Sequence, residues 1–385
     1  CHKHITKQHT VETPYIDAVL KEWELYLNLF PQKPVIKELH LGGGTPTFFH
    51  PKHLQKLIEG ILSSSIIPEE YEFGFEGHPN NTSKGHLETL FQLGFKRISF
   101  GVQDYAPLVQ KTINRIQPFE YVEKVHNWAK QMGYTSISHD LVFGLPHQTR
   151  ENILETIRLT NVLKPDRISL YSYAHVPWVK GVGQRGFNEA DLPKPKAKRE
   201  LYETAKGALI QNEYHEIGMD HFALKSDALC KAFKAQKLHR NFMGYTTNTT
   251  QLMVGLGMSS ISDSWYSFAQ NVKTVKEYIS LTSKDEFPVF KGHLLTSDDL
   301  MIRQHILNLM CAFETSLDDA FKKQENYASI MKRLEPLIED GLAILQGNRL
   351  VVTEMGKVFI RNICMCFDRN LQQNTIQENT FSKTI

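Results

Sequence analysis

The chain has 385 residues, 41% hydrophobic and 22% charged, enough for a full core and two domains on a prior of roughly 150 residues each. Its 44 basic and 42 acidic residues leave a net charge of +2, which gives no reason to invoke DNA or another polyanion, and no apolar run reaches the roughly 20 residues that span a bilayer. The 5 cysteines are odd in number and scattered, a poor disulfide framework that suits a reducing cytoplasm.

The chain opens "CHKHITKQ", without an initiator methionine. His2, His4 and His9 near Cys1 read better as a frayed terminus than as a zinc site, which needs four well-spaced ligands. Short apolar runs rich in branched residues follow: "VIKELHLGGG", "EYEFGFEGHP", "KRISFGVQD", "SISHDLVFGLP" and "DRISLYSYAHVP". Between them lie helical patterns. "PKHLQKLIEGILSS" sets Leu54, Leu57, Ile58, Ile61 and Leu62 on one face; "PFEYVEKVHNWAKQMG" sets Val122, Val125, Trp128, Ala129 and Met132 in register and ends at Gly133. Strand, helix, strand at this spacing predicts parallel βα repeats, an α/β partial TIM-type barrel.

Each predicted strand ends in polar or glycine residues, and active sites of such barrels lie at those ends. In "LGGGTPT", three glycines leave amide N–H groups free for an anion or carboxylate, although a lone triplet is equally well a tight barrel turn. Glu76 and Asp140 are strand-end carboxylates; with Gln103 on one rim they suit a ligand bearing amines and ribose hydroxyls. Arg115 in "INRIQ" suits a carboxylate. Each of these residues, taken singly, has an ordinary surface explanation.

Composition shifts at the proline- and lysine-rich "EADLPKPKAKRE". Mixed structure follows, then a helical region from about 290, then "GLAILQGNRLVVTEMGKVFI", a predicted hairpin turning at Gly347 and Asn348. Two domains are therefore expected, 1–290 and a smaller, mainly helical 291–385. Cys364 and Cys366 in "ICMCFD" lack nearby ligand partners and read as semi-buried thiols.

Taken together, "LHLGGGTPT", "ISFGVQD", "HDLVFGLP", "YAHVP", "IGMDHFA", "LHRNFMGYTT" and "IRNICMCFD" resemble, in order and spacing, the oxygen-independent coproporphyrinogen III oxidases, a radical S-adenosylmethionine (SAM) family. The resemblance implies a [4Fe-4S] cluster held by a CxxxCxxC loop after the first barrel strand. Cys1 would be a fourth, non-ligating cysteine, with the ligands and first strand ahead of it. No metal ligand is then expected within the chain, and the chain alone is expected to be inactive. The resemblance further implies SAM contacts at Gly43, Gly44, Thr45, Glu76, Gln103, Arg115, Asp140, Ala174 and Ile261, divided between two SAM molecules. Met243 stands where the family pattern has glutamine, which bears on the second of these sites.

The implied reaction is oxidative decarboxylation of two propionates of coproporphyrinogen III to vinyls, giving protoporphyrinogen IX by a SAM-derived 5'-deoxyadenosyl radical. Arg240, His175 and Arg185 are candidates for the substrate's carboxylates. A reductant protein is expected as electron donor, with no nucleic acid or membrane partner, and the chain is expected to be monomeric. Two other readings stand beside this one. The first is a haem-chaperone-type protein without oxidase activity, against which "HRNFMGYTT" argues. The second is a non-catalytic SAM or porphyrin scaffold.

Overall fold

The structure, a computed structural model, describes residues 4–176, 186–369 and 371. Helix α1 (Glu12–Leu27) precedes a βα series: β1 (Glu38–Leu41), α2 (Pro51–Ser63), β2 (Glu72–Gly77), α3 (Lys84–Gln92), β3 (Arg97–Gln103), α4 (Pro107–Thr112), α5 (Phe119–Met132), β4 (Ser136–Phe143), α6 (Arg150–Leu163) and β5 (Arg167–Ser172). The strands lie side by side in chain order, with β1 to β4 paired parallel. All five predicted strands are present.

Alternation along these strands separates two faces. In β3, Ile98, Phe100 and Val102 are buried while Arg97, Ser99, Gly101 and Gln103 are half-buried. Side chains on the second face come into line across the sheet, because Glu76 pairs with Ser99, Ser99 with Ser138, and Gly101 with Asp140. One face is therefore core; the other is polar and lines the inside of the partial barrel.

The helices follow their local signals. Pro51 starts α2, the His50 imidazole accepts the Lys52 amide at 3.3 Å, and Leu54, Ile58 and Ile61 are buried. In α5, Val122, Val125 and Ala129 are buried and Gly133 caps the end at φ +93°, a conformation that favours glycine. Beside a three-stranded antiparallel sheet (Ile261–Asp263, Ser267–Asn271, Val289–Leu294), Val272, just past the second strand, packs with Ala18 and Val19 of α1. There the buried Glu22 accepts from Asn271 Nδ2 at 2.6 Å and from the Gly257 amide at 2.8 Å.

The chain divides into two compact units, Cys1–Tyr171 with Gly186–Ala208 and Thr250–Leu294, and Ser172–Arg185 with Leu209–Thr249 and Leu295–Ile385. The last division lies between Leu294 and Leu295, and two earlier stretches belong to the second unit. The membership of 209–249 rests on long-range packing that local composition does not display. Cys311, in the helix Ser297–Ala312, packs against Ile217, Leu229, Leu238 and Tyr245, and the Tyr245 hydroxyl donates to Met310 O at 2.8 Å. The expected helical onset near 290 is instead the strand Val289–Leu294, with the helix starting at Ser297. The second unit's core joins Leu309, Phe313, Phe321, Leu334, Ile363 and Phe367 to the predicted hairpin, whose Gly347 has φ +63°. Cys364 and Cys366 are buried free thiols; burial pushes Cys364 up to about 12, so it is inert.

Candidate functional site

β1 ends at Leu41 and the glycine turn follows. A Cβ on Gly42 would strike Glu76 Oε1 and His40 Nε2, each at 2.9 Å, so this glycine lets β1 lie against β2. Gly43 has φ +90°, and a Cβ on Gly43 or Gly44 would meet nothing within 4 Å. The first glycine is a packing requirement, whereas the next two face open space and expose their backbone to an incoming ligand. Thr45 follows, half-buried, before Pro46 and Thr47 turn inward.

Glu76 lies 3.6 Å from His40 Nε2 at the end of β2. Asp140 stands two strands away on the same polar face. Burial raises its pKa to about 6; the Glu76 charge adds to that, while Ser99, Ser169 and the Arg115 guanidinium act against it. Two carboxylates that repel each other on one rim favour a cationic ligand.

Arg115 enters from the loop after α4. Its Nη2 donates to Gly101 O at 2.6 Å, but its Nε is buried with no acceptor. Burial lowers its pKa and the Asp140 charge opposes this. An unmet guanidinium donor inside a protein is costly unless a ligand supplies the acceptor. Gln103 reaches the same place through a break in register: the β3–β4 ladder shifts between Gly101 and Gln103, and Gln103 has φ +70°. Such bulges re-aim side chains, and a Cβ on Gly101 would lie 3.0 Å from Gln103 Nε2 and 2.8 Å from Arg115 Nη2. The nearby His78 has its pKa lowered to about 4 by burial and by Arg115, which keeps it neutral.

The structure thus gathers Glu76, Gln103, Arg115 and Asp140 on one face, at whose β1 edge the turn of Gly43, Gly44 and Thr45 stands. Ile261 belongs to the same compact unit but pairs with Gln270 in the antiparallel sheet. Ala174 falls in the second unit, as do His175, 3.5 Å from the Tyr173 hydroxyl, and Arg240. Arg240 lies over the Tyr245 ring at 4.7 Å, with its Nη1 buried and without an acceptor. Arg185 and Cys1 lie outside the described residues. Sequence reading missed His40, His78, Ser99 and Ser169; the period-2 pattern of "ELHL" and "RISFGVQ" was the available signal.

The expected frayed terminus is not what His9 shows: its imidazole contacts Glu12 and stacks on Phe48 with ring centroids 4.8 Å apart. Among the described residues no group of three or more His, Cys, Asp or Glu side chains could hold a metal ion.

The radical SAM superfamily model matches residues 5–160. The oxygen-independent coproporphyrinogen III oxidase of Synechocystis sp. is 37% identical over 100% of this chain and 84% of its own length. The Escherichia coli enzyme of the same name is 36% identical over 100% and 85%. A solved structure of E. coli coproporphyrinogen III oxidase, described as a radical SAM enzyme, superposes with a TM-score of 0.91 at 35% identity, over 96% of this chain and 86% of that one. The polar-lined parallel fold and these likenesses agree throughout: this chain belongs to the oxygen-independent coproporphyrinogen III oxidases of the radical SAM superfamily.

Proposed function

We propose that Gly43, Gly44, Thr45, Glu76, Gln103, Arg115 and Asp140 hold S-adenosylmethionine, with Ala174 and Ile261 as apolar walls, for the oxidative decarboxylation of coproporphyrinogen III. The observation that carries this reading is the pairing of unmet needs on the rim. SAM brings an ammonium and a sulfonium for two repelling carboxylates, and a carboxylate for the unmatched Arg115 Nε. It fits the open face of Gly43 and Gly44, whose amides can approach its methionine end.

The bound cofactor supplies the hydrogen-abstracting chemistry. The residues of this chain bind, orient and exclude water. Arg115, fixed through Gly101 O, sets the direction of the ligand carboxylate. Asp140 and Gln103 face ribose hydroxyls and the amine as acceptors. Asp140, with its pKa raised to about 6 by burial, is ionised at neutral pH in an unfavourable setting that a ligand cation relieves. His78, kept neutral, can share a hydrogen bond without repelling a cation. Arg240 and His175 are assigned to the substrate's propionates; the Arg240 Nη1 without an acceptor supports this. A protein reductant, a monomeric state and a cytoplasmic setting complete the reading, the last supported by four free described cysteines. No helix of the described residues is long and apolar enough to cross a membrane.

The test is an anaerobic assay of the full-length gene product with coproporphyrinogen III and SAM, with vinyl products quantified after oxidation to porphyrins. Protoporphyrin formation that Arg115→Ala abolishes is expected. Tight haem binding without any vinyl product would overturn the oxidase reading.

A further inference from the structure

Glu12 is the first residue of α1, and its carboxylate is fully buried although nothing in helix formation requires that. Three donors converge on it. The His50 amide donates at 2.8 Å, His53 Nδ1 at 2.6 Å, and His9 Nδ1 donates to the other oxygen. Burial pushes the Glu12 pKa up, but the hydrogen bonds from His53, His50 and His9 outweigh it and lower the pKa, so the group is held as a carboxylate.

What this carboxylate holds is the far half of the glycine-rich turn. His50 closes the segment that Gly42 opens. Between them, Phe48 stacks on His9 with planes 10° apart, Phe49 O accepts from His86 Nε2 at 2.9 Å, and the Thr47 hydroxyl pairs with Thr82 at 3.2 Å. The His86 tautomer is fixed by its Nδ1, which accepts the Ser83 amide at 3.1 Å. Gly43 and Gly44 have no neighbour in front of them, yet every residue from Thr47 to His50 is tied. A loop clamped on one side and open on the other presents its open amides in a fixed attitude, which is how a flexible glycine turn becomes a preorganised site.

We propose that Glu12 is a positioning residue for the SAM turn: through the His50 amide, and with His9 and His53, it sets the attitude of Gly43, Gly44 and Thr45. The inference rests on the SAM reading of the rim given above. The side chains of Glu12, His9 and His53 and the backbone amide of His50 form a hydrogen-bonded clamp. Glu12 touches neither cofactor nor substrate in this account; it acts through His50.

The experiment uses the full-length gene product with Glu12→Gln, Glu12→Ala and His9→Ala, measuring radiolabelled SAM binding by equilibrium dialysis, amide exchange at His50 and the urea midpoint. Glu12→Ala is expected to raise the SAM Kd roughly tenfold, the size of one lost charge-assisted hydrogen bond, and Glu12→Gln, which keeps one acceptor oxygen, by about half that factor. The His50 amide should exchange faster in both, while the KM for coproporphyrinogen III stays unchanged. Should Glu12→Ala fail to fold, His9→Ala, at a mostly exposed side chain, should still raise the Kd about twofold at an unchanged urea midpoint. Parent-like SAM affinity in Glu12→Gln and His9→Ala, with only His50 exchange or stability altered, would overturn the proposal and leave Glu12 a tie between helices. Absence of SAM binding by the parent protein would overturn the rim reading itself and this inference with it.

Discussion

His139 and Asp140 are neighbours on β4, facing opposite sides of the sheet, and each side handles a titratable group differently. On the core face His139 meets His126, Nε2 to Nδ1 at 3.2 Å; burial drives its pKa well below the usual histidine value and His126 to about 4, so both stay neutral. On the inner face the half-buried Asp140 is surrounded by competing charges, Glu76 raising and Arg115 lowering its pKa. The core face removes charge and gains packing. The inner face keeps a charge in tension, which a fold tolerates where a ligand relieves it.

The sharpest way to break this comparison is to damage the core face. Leu141 is 0% exposed on the same side as His139, and Leu141→Ala should cost about 3 kcal/mol, within the usual 2–5 for a buried leucine, read from urea unfolding. A cost near zero would mean that this side is not core. The inner face should respond in the reverse sense. Asp140→Asn is expected to weaken SAM binding roughly a hundredfold while stabilising the free protein by about 1–2 kcal/mol at pH 7. The sign follows from the raised pKa. A carboxyl lifted from 3.8 to about 6 favours folding most below its unfolded value, and that contribution is gone once pH rises past 6. At neutral pH the ionised Asp140 therefore opposes folding. A destabilised Asp140→Asn protein would show the charge to be a structural partner.

Acid should separate the faces again, with a smaller effect. A histidine whose folded pKa is depressed supports folding above its unfolded value of 6.5, and this support is lost as pH falls toward about 4. His126 alone should then weaken the fold by about 2 kcal/mol between pH 7 and pH 5. Asp140 and Asp104, both raised to about 6, push the other way over the same range. The informative quantity is the difference in slope between the parent and His126→Gln. Parallel stability profiles for the two would remove the histidine pair from the account.

Much of this was legible in the chain itself. Short apolar runs rich in branched residues placed all five strands, and helical spacing with Pro51 and Gly133 placed α2 and α5 to within a residue. Residues at strand ends were legible because glutamine and carboxylates have no packing reason to gather there. Less visible was anything that depends on distance in sequence. Glu12 and His53 are 41 positions apart, and the partition of 209–249 into the second unit depends on Tyr245 meeting Met310, 65 positions on. Gln103 was found as a polar residue, but its bulge and left-handed backbone arise from the shifted β3–β4 register, which no local pattern encodes.

The smallest expected effect tests the glycine turn, where a tight barrel turn and a ligand cradle looked alike in sequence. Gly43 and Gly44 have the same open space in front of them, but only Gly43 sits at positive φ. Gly43→Ala should therefore lose about 1 kcal/mol of stability from backbone strain alone. Gly44→Ala has no strain and no clash, so the urea midpoint should stay within about 0.5 kcal/mol of the parent. The added methyl would nevertheless stand where a bound ligand must approach the backbone, and the SAM Kd should rise about fivefold, just under 1 kcal/mol. A Gly44→Ala protein with unchanged affinity would show that nothing closes on that backbone, and the triplet would be a turn and no more. A loss confined to affinity would place the methionine end of the cofactor against these two amides, on the face where the carboxylates already wait for its positive charge.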